Sequence, residues 1–130
     1  MELNVTTEQS PVAVTVVHLK GDLDASTEPE VVAKARELVE QGATRLVIDL
    51  DGVRYISSAG VRALHALYLL LRPSGDDQDA VLQGVRDGSY TSPHLKLVKP
   101  NKDVTSVLTT TGIDMYLGIY PDLASALAAF

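Results

Sequence analysis

Short apolar runs of strand type alternate along this chain with segments of helical periodicity, and this order constrains the fold more than any other feature. Residues 12–19 and 45–50 are rich in valine, leucine and isoleucine, and a helical pattern separates them. Residues 95–98 and 116–120 are predicted to form two further strands, with a helix at 104–111 between them. Strands that alternate with helices predict a mainly parallel sheet with the helices packed on it.

Weaker patterns at both ends of the chain complete this prediction. Residues 2–7 alternate in polarity and are predicted to pair with the first run as an edge strand, and residues 122–129 to form a last short helix. Thr27, followed by Glu30, fits a capping box for the first helix, which we expect to end at Gly42. We therefore expect an α/β fold, with a four-to-five-stranded, mainly parallel sheet and helices packed mainly on one face.

A second helix is predicted from Ser57 or Ser58 to about Leu71. The face expected to pack on the sheet contains Val61, Leu64, Tyr68 and Leu71. The other side is also apolar, with Leu69 and Leu70 next to Arg62, Ala63 and Ala66. This pattern favours either a docking or self-association surface on the helix at 58–71, or a cover formed by Val81, Leu82 and Val85.

The 130 residues fit one domain, which we expect to span residues 1–130. Residues 72–94 interrupt the alternation of strands and helices, because this stretch is rich in glycine, proline and aspartate. It is predicted to be an irregular insertion, with a helical turn around residues 81–85.

Composition excludes several classes of function. The formal net charge is −6 and the lysines and arginines do not cluster, which argues against binding nucleic acid or an anionic membrane. The absence of cysteine excludes disulfides and thiolate metal sites. The longest apolar run, residues 66–71, is too short to span a membrane, and the first residues lack the pattern of a signal peptide. We therefore expect a cytoplasmic protein.

The strongest enzyme-like pattern is Asp49-Leu50-Asp51-Gly52, which resembles the nucleophile motif of haloacid-dehalogenase-type phosphatases. Its simpler interpretation is a strand end followed by an Asp51-Gly52 turn. The next acidic cluster, residues 75–79, lies in the insertion, and the histidines at 18, 65 and 94 lack metal-ligand spacing. We expect a protein without catalysis, cofactor or metal, and a magnesium-dependent phosphatase that uses Asp49 and Asp51 is the less favoured alternative.

Two serines, Ser57 and Ser58, are predicted to lie where a loop meets the second helix. Either would be a good N-cap, because a serine oxygen there accepts a hydrogen bond from a free backbone N–H group. The same helix start would also accommodate a phosphate, through those N–H groups and the positive end of the helix dipole. The local pattern leaves both interpretations open.

Several motifs occur in one order over nearly the whole chain outside the insertion. They are Gly21-Asp22-Leu23-Asp24, Leu46-Val47-Ile48-Asp49-Leu50, Tyr55-Ile56-Ser57-Ser58-Ala59-Gly60-Val61, Leu95-Lys96-Leu97-Val98 and Thr111-Gly112-Ile113, followed by the closing helix. This order resembles the STAS domain, the fold of anti-sigma factor antagonists. The resemblance implies a protein that binds an anti-sigma factor, which is also a serine kinase, and releases it when phosphorylated. A matching phosphatase would reverse the modification.

The resemblance also implies which residues act. The family's phosphoacceptor lies before a helix in the pattern Asp-Ser-Ser/Thr-Gly, and alignment on Gly60 makes Ser58 the acceptor, with Ser57 where the pattern has Asp. The implied switch-loop and partner-binding residues are Asp22, Asp24, Ser57, Ser58, Ala59, Gly60 and Arg62. The alternative that remains open is a constitutive adaptor in a larger signalling assembly, in which Ser58 is only a helix cap.

Overall fold

Five strands form one sheet in the computed structural model, which describes residues 1–9, 12–72 and 91–130. In chain order they are β1 (Glu2–Glu8), β2 (Val14–Lys20), β3 (Leu46–Gly52), β4 (Leu95–Val98) and β5 (Gly118–Tyr120), and their order in the sheet is the same. β1 pairs antiparallel with β2 at one edge, whereas the other neighbouring pairs are parallel. The predicted mainly parallel sheet with an edge strand at its start is confirmed.

The described residues contain four α-helices and a short 3-10 helix, Ile113–Met115. The α-helices are α1 (Glu28–Glu40), α2 (Ser58–Leu71), α3 (Lys102–Thr111) and α4 (Leu123–Ala128). The connections that contain α1, α2 and α3 each lead from one parallel strand to the next along the sheet. Because such connections are right-handed, these three helices lie on one face, and α4 packs on the other. No helix in this part of the chain is long and apolar enough to cross a membrane.

The core has two layers because β3 is buried on both sides. Leu46, Ile48 and Leu50 are fully buried in the layer that contains α1 and α2. Val47 belongs to the other layer, where it packs in one cluster with Ala126 of α4. Successive residues of a strand face opposite sides of a sheet, so an unbroken apolar run is the pattern expected of such a strand.

The start of α1 differs from the prediction. Thr27 occupies the N-cap position, but its side chain does not cap the helix. Its hydroxyl donates to the backbone oxygen of Asp22 at 2.8 Å and accepts from the backbone N–H of Asp24 at 3.0 Å. The predicted capping box with Glu30 is therefore wrong, because the backbone of Thr27 is helical (φ −106°, ψ −15°) rather than extended as an N-cap usually is.

The predicted turn at Asp51 and Gly52 is present, since the N–H of Val53 donates to the backbone oxygen of Leu50 at 3.0 Å, but both residues also belong to the end of β3. Gly52 pairs with Lys20 of β2, beyond a shift in the register of the two strands. A Cβ atom at Gly52 would lie 2.6 Å from the backbone oxygen of Leu19. The glycine is therefore required by the close approach of two strands rather than by a turn.

The buried face of α2 is rotated from the predicted one. Its buried residues are Ala59, Gly60, Ala63, Leu64, Leu67, Tyr68 and Leu71. Val61, predicted to face the sheet, is only half-buried, whereas Ala63, predicted on the far side, is fully buried. The small residues Gly60 and Ala63 lie on the side of closest approach, which a pattern weighted by hydrophobicity does not detect.

The predicted insertion falls mostly outside the described residues, as do its helical turn at 81–85 and the predicted apolar cover over α2. Its last residues are described. Ser92 is buried there, and its backbone N–H donates to the backbone oxygen of Tyr116 at 2.7 Å. The residues that lead into β4 are thus packed against the domain, which the prediction of an irregular segment up to residue 94 did not anticipate.

Candidate functional site

Three loops meet at one edge of the sheet, where β2, β3 and β4 end. They comprise residues 21–27, 53–57 and 99–101, and each leads into a helix. Parallel strands point the same way, so the loops that follow them share an edge, and ligands of α/β proteins usually bind at this edge. We call the first two loops and the first turns of α1 and α2 the carboxyl-edge surface.

Backbone hydrogen bonds join the first two loops. Leu23 donates its N–H to the oxygen of Tyr55 at 2.9 Å, and Ser57 donates its N–H to the oxygen of Leu23 at 3.0 Å. Leu23 and Ile56 form a short parallel bridge beyond the ends of β2 and β3, and both side chains are buried. The two loops therefore continue the pairing of the sheet and hold each other in place.

Asn101 holds the second loop from the other side. Its side-chain amide donates to the backbone oxygens of Val53 and Arg54, both at 3.2 Å, while its Oδ1 accepts from the N–H of Val104 at 2.7 Å. It thus caps α3 and fixes the loop before α2 with one side chain. The sequence analysis missed this residue: asparagine before a helix is a signal for the cap, but the contact with the loop is long-range.

Gly60 lets α2 begin close to the first loop. A Cβ atom there would lie 2.4 Å from the backbone oxygen of Leu23 and 2.7 Å from Cγ1 of Ile56. Gly60 and Ala59 are both buried. Of the predicted site residues, these two shape the carboxyl-edge surface from below and present no side chain to a partner.

The two neighbouring serines differ in what their hydroxyls do. Ser57 is the N-cap of α2, with extended backbone, and its Oγ accepts from the N–H of Gly60 at 3.3 Å. Ser58 is the first residue of the helix and is exposed. Within the part of the chain that the structure describes, its hydroxyl has no hydrogen-bond partner. Ser57 therefore stabilises the helix start, and Ser58 leaves a hydroxyl accessible at the same place.

Asp22 and Asp24 are half-exposed in the first loop, next to these serines. The carboxylate of Asp24 accepts from Oγ of Ser26 at 2.6 Å and from the N–H of Ser26 at 2.9 Å. The hydrogen bond from the Ser26 hydroxyl is the main cause that holds the pKa of Asp24 below its ordinary value. Asp24 thus keeps its negative charge while it closes the loop, and Asp22 contributes its backbone oxygen to Thr27.

Arg62 connects the starts of the two helices. Its Nη2 lies 3.5 Å from Oε2 of Glu28, and 68% of its side chain is exposed. The structure therefore places Arg62 next to the start of α1. Glu28 was missed, because an acidic residue in the first turn of a helix is favourable with the helix dipole and signals nothing more by itself.

An exposed aromatic residue borders the carboxyl-edge surface. Tyr55 lies in the loop just before the serines and is 54% exposed, next to the exposed Arg54. Sequence reasoning did not select it, because an aromatic residue near a strand is normally expected in the core. Tyrosine and arginine are common anchors in protein interfaces, so these two residues extend the surface available to a partner.

The carboxylate of Asp49, the nucleophile of the alternative phosphatase prediction, is engaged in hydrogen bonds between and within strands. Asp49 is almost buried, and its Oδ2 lies 2.7 Å from Nδ1 of His18, whose Nε2 lies 2.9 Å from the hydroxyl of Thr6. Its other oxygen accepts from the N–H of Asp51 at 3.0 Å. In residues 1–9, 12–72 and 91–130, no group of three or more histidine, cysteine and acidic residues could hold a metal ion. The arrangement ties three strands together and offers no support for a magnesium centre.

A protein-family model matches this architecture and sequence. The model described as "Mlab, STAS domain" covers residues 6–119, which is most of the chain. The chain belongs to this STAS family. The predicted resemblance to the STAS domain is thereby confirmed, and the loop that ends at Ser57 and leads into α2 is a loop of a STAS domain.

Solved structures of anti-sigma factor antagonists share the fold of this STAS domain. The antagonist from Mycobacterium paratuberculosis is 24% identical, with a TM-score of 0.72, over 98% of this chain and 93% of its own. A STAS-domain antagonist from Planctomyces limnophilus is 20% identical, with a TM-score of 0.68, over 98% and 96%. Bacillus SpoIIAA in its phosphorylated form is 18% identical, with a TM-score of 0.58, over 96% and 97%. At these identities the likeness establishes the fold alone.

No curated protein matches the sequence. The function of this STAS domain must therefore be argued from its own residues.

Proposed function

We propose that this STAS domain is an anti-sigma factor antagonist whose binding to its partner is switched off by phosphorylation of Ser58. The observation that carries the proposal is the difference between the two serines, since Ser57 caps the helix and the exposed hydroxyl of Ser58 has no hydrogen-bond partner among the residues that the structure describes. A kinase requires such an accessible hydroxyl. The fold shared with anti-sigma factor antagonists, one of them in a phosphorylated form, supports this choice of partner and modification.

The carboxyl-edge surface suits a switch because its backbone is held on both sides. The hydrogen bonds from Leu23 and Asn101 fix the loop, so a phosphate on Ser58 would change charge with little change of shape. Phosphorylation adds about −1.5 to −2 charges, which the start of a helix tolerates. In an interface the same unpaired charge costs several kcal/mol, on the order of a thousandfold in affinity.

The proposal implies a cycle of partners. The unmodified protein binds an anti-sigma factor, which acts as a serine kinase on Ser58, and a phosphatase restores the binding form. Asp22, Asp24 and Arg62, which are half-exposed or exposed, are proposed to contact the same partner. Since sigma factors act in transcription, the proposed site of action is the cytoplasm.

Calorimetric titration of the purified anti-sigma factor with Ser58→Glu tests the switch. We expect this variant to bind at least about a hundredfold more weakly than the wild type, because the added charge faces the interface without a counterion. It should melt at a similar temperature, since the residue is exposed. Incubation of the wild type with the kinase and ATP should add one phosphate.

The neighbouring serine supplies the matched control. Ser57→Ala should be destabilised by about 1 kcal/mol through loss of the cap, yet still take up the phosphate. Ser58→Ala should keep its stability and take up none. Equal affinity of Ser58→Glu and the wild type would exclude the switch.

A constitutive adaptor is the second candidate, and the residue before Ser58 is the observation that favours it. The family's pattern has an aspartate there, whereas this chain has Ser57, whose hydroxyl is the N-cap. The local charge next to the acceptor therefore differs from the one that a kinase meets in the pattern. An adaptor would take up no phosphate and would bind its partner equally well as wild type and as Ser58→Glu.

Self-association of two copies through the exposed side of α2 stays a prediction, and one substitution tests it directly. Leu69 is 49% exposed on this helix, whereas Leu70 is half-buried and packs against the main core. A single exposed leucine is common on protein surfaces, so the exposure alone does not decide the matter. If α2 pairs between copies, Leu69→Asp should convert dimers to monomers in sedimentation velocity without lowering the melting temperature. Identical sedimentation of both proteins would exclude this interface.

A further inference from the structure

Arg62 joins the two helix starts of the carboxyl-edge surface. Its guanidinium lies 3.5 Å from the carboxylate of Glu28, the first residue of α1, and Arg62 itself lies one turn into α2. The arginine side chain is 68% exposed and that of Glu28 is 29% exposed. The ion pair is therefore open to solvent on one side and free to rearrange.

Arg62 is also placed to reach Ser58. The two residues are four apart on α2, and at this spacing side chains lie on the same helix face, with about 5–6 Å between their Cβ atoms. Long side chains on a helix lean towards its N-terminus, which is the direction of Ser58 from Arg62. Both residues are exposed on this face.

We propose that Arg62 exchanges partners when Ser58 is phosphorylated, leaving Glu28 for the phosphate; this inference rests on the proposed function. The phosphate carries about −1.5 to −2 charges, more than a carboxylate. It also accepts the paired N–H groups of arginine in the geometry that guanidinium prefers. Two acidic groups then compete for one guanidinium, and the phosphate on the same helix is the stronger ligand.

The exchange alters the surface beyond the modified residue. In the unmodified protein the guanidinium of Arg62 offsets the charge of Glu28 where α1 and α2 meet. After the exchange Glu28 is unpaired, in the first turn of the helix that follows Asp22 and Asp24. The start of α1 thus becomes more acidic together with the start of α2, and both changes weaken binding to a partner that fits the unmodified surface.

Phosphorus NMR of the full chain with phosphoserine installed at position 58 during translation tests this exchange. A guanidinium that pairs with the phosphate dianion lowers the pH at the midpoint of the second phosphate ionisation. We expect Arg62→Gln to raise that midpoint by a fraction of a pH unit, the scale of an exposed ion pair. Arg36→Gln, an exposed arginine of α1 without an ion pair in the described residues, is the matched control and should not move it.

Glu28→Gln distinguishes an exchange from simple proximity of charges. Removal of the competing carboxylate should lower the midpoint more in the wild-type background than in the Arg62→Gln background, because only the former has a guanidinium to release. An unchanged midpoint in Arg62→Gln, or equal effects of Glu28→Gln in both backgrounds, would overturn the exchange. The titration needs no partner protein, so it tests the exchange of Arg62 independently of the proposed function. That function fails if phosphorylated and unmodified protein bind the anti-sigma factor equally well.

Discussion

The two loops of the carboxyl-edge surface each place two neighbouring hydroxyl residues at a helix start, and they use them differently. Before α1, Ser26 donates to a carboxylate at 2.6 Å and Thr27 to a backbone oxygen at 2.8 Å. Before α2, Ser57 caps the helix, whereas the hydroxyl of Ser58 has no hydrogen-bond partner among the described residues. A hydroxyl held inside its own loop is poorly available to an enzyme, so the comparison selects Ser58 from four residues of similar chemistry.

The difference between the loops comes from their surroundings rather than from residue type. The first loop is long and closes on itself through its own side chains. The second is tied through its backbone groups by Leu23 and by the side-chain amide of Asn101, and Ser58, which begins α2 directly after it, has no hydrogen-bond partner among the described residues. The following substitutions test this contrast, from the largest expected effect to the smallest.

Gly60→Ala should have the largest effect, because it forces the two loops apart. The new Cβ would lie 2.4 Å from the backbone oxygen of Leu23, an approach that only movement of the backbone can relieve. We expect a loss of about 2–3 kcal/mol in the free energy of unfolding, measured by urea denaturation. Ser58→Ala, two residues earlier on the same turn, should change it by less than about 0.5 kcal/mol. Similar stability of both variants would show that the contact between the loops is loose.

Thr27→Val should have an intermediate effect on the free energy of unfolding, and this effect shows that the hydroxyl of the first loop is engaged whereas no described residue engages that of Ser58. The substitution keeps the shape of the side chain and removes the hydroxyl that donates to Asp22 and accepts from Asp24. We expect a loss of about 1 kcal/mol, the net value of a hydrogen bond, by the same measurement. Ser58→Ala is again the control, since it removes a hydroxyl without a partner in the described residues. A larger effect of Ser58→Ala than of Thr27→Val would reverse the comparison.

Ser26→Ala should produce the smallest effect, a change in how the free energy of unfolding depends on pH in the acidic range. The Ser26 hydroxyl is the main cause that lowers the pKa of Asp24 in the folded protein. A carboxyl whose folded pKa is lowered stabilises the protein above its ordinary pKa, and this contribution is lost as the pH falls through the folded value. The unfolding free energy of Ser26→Ala should therefore fall less steeply with acidification than that of the wild type. Urea titrations at several acidic pH values measure this slope, and parallel slopes would show that Asp24 is not held by Ser26.

The order of elements is predictable from the sequence because hydrophobic periodicity is local. The run at 45–50 predicts a strand buried on both sides, and residues 46–50 of β3 are buried. Local patterns predict the structure incompletely or wrongly where a contact between residues outside the pattern determines it. Gly52 lies in the turn that it signals locally, but its pairing with Lys20, which the local pattern does not show, keeps it in the strand. Thr27 signals a cap, but its hydroxyl closes the loop behind it.

The candidate site was predictable as a set of positions and not as a set of interactions. Ser58 and Arg62 follow from the motif order, and the structure brings them to one helix face. Glu28 and Asn101 could not be found in this way, since each contacts a residue more than thirty positions away in the chain. Their own local patterns indicate only ordinary helix starts.

The strand order of the sheet, which is the same as the order in the chain, has a consequence for how the domain is made. Each new strand pairs with the strand before it, so the sheet can grow by one unit at a time as the chain leaves the ribosome. At each stage the growing sheet exposes the outer edge of its newest strand, where a nascent chain is most open to mispairing until the next strand pairs with it. The loop before α2 receives its last tie only when Asn101 is synthesised. A ribosome-bound chain that ends before this residue would display Ser58 on a loop held from one side, and the finished surface is a late product of synthesis.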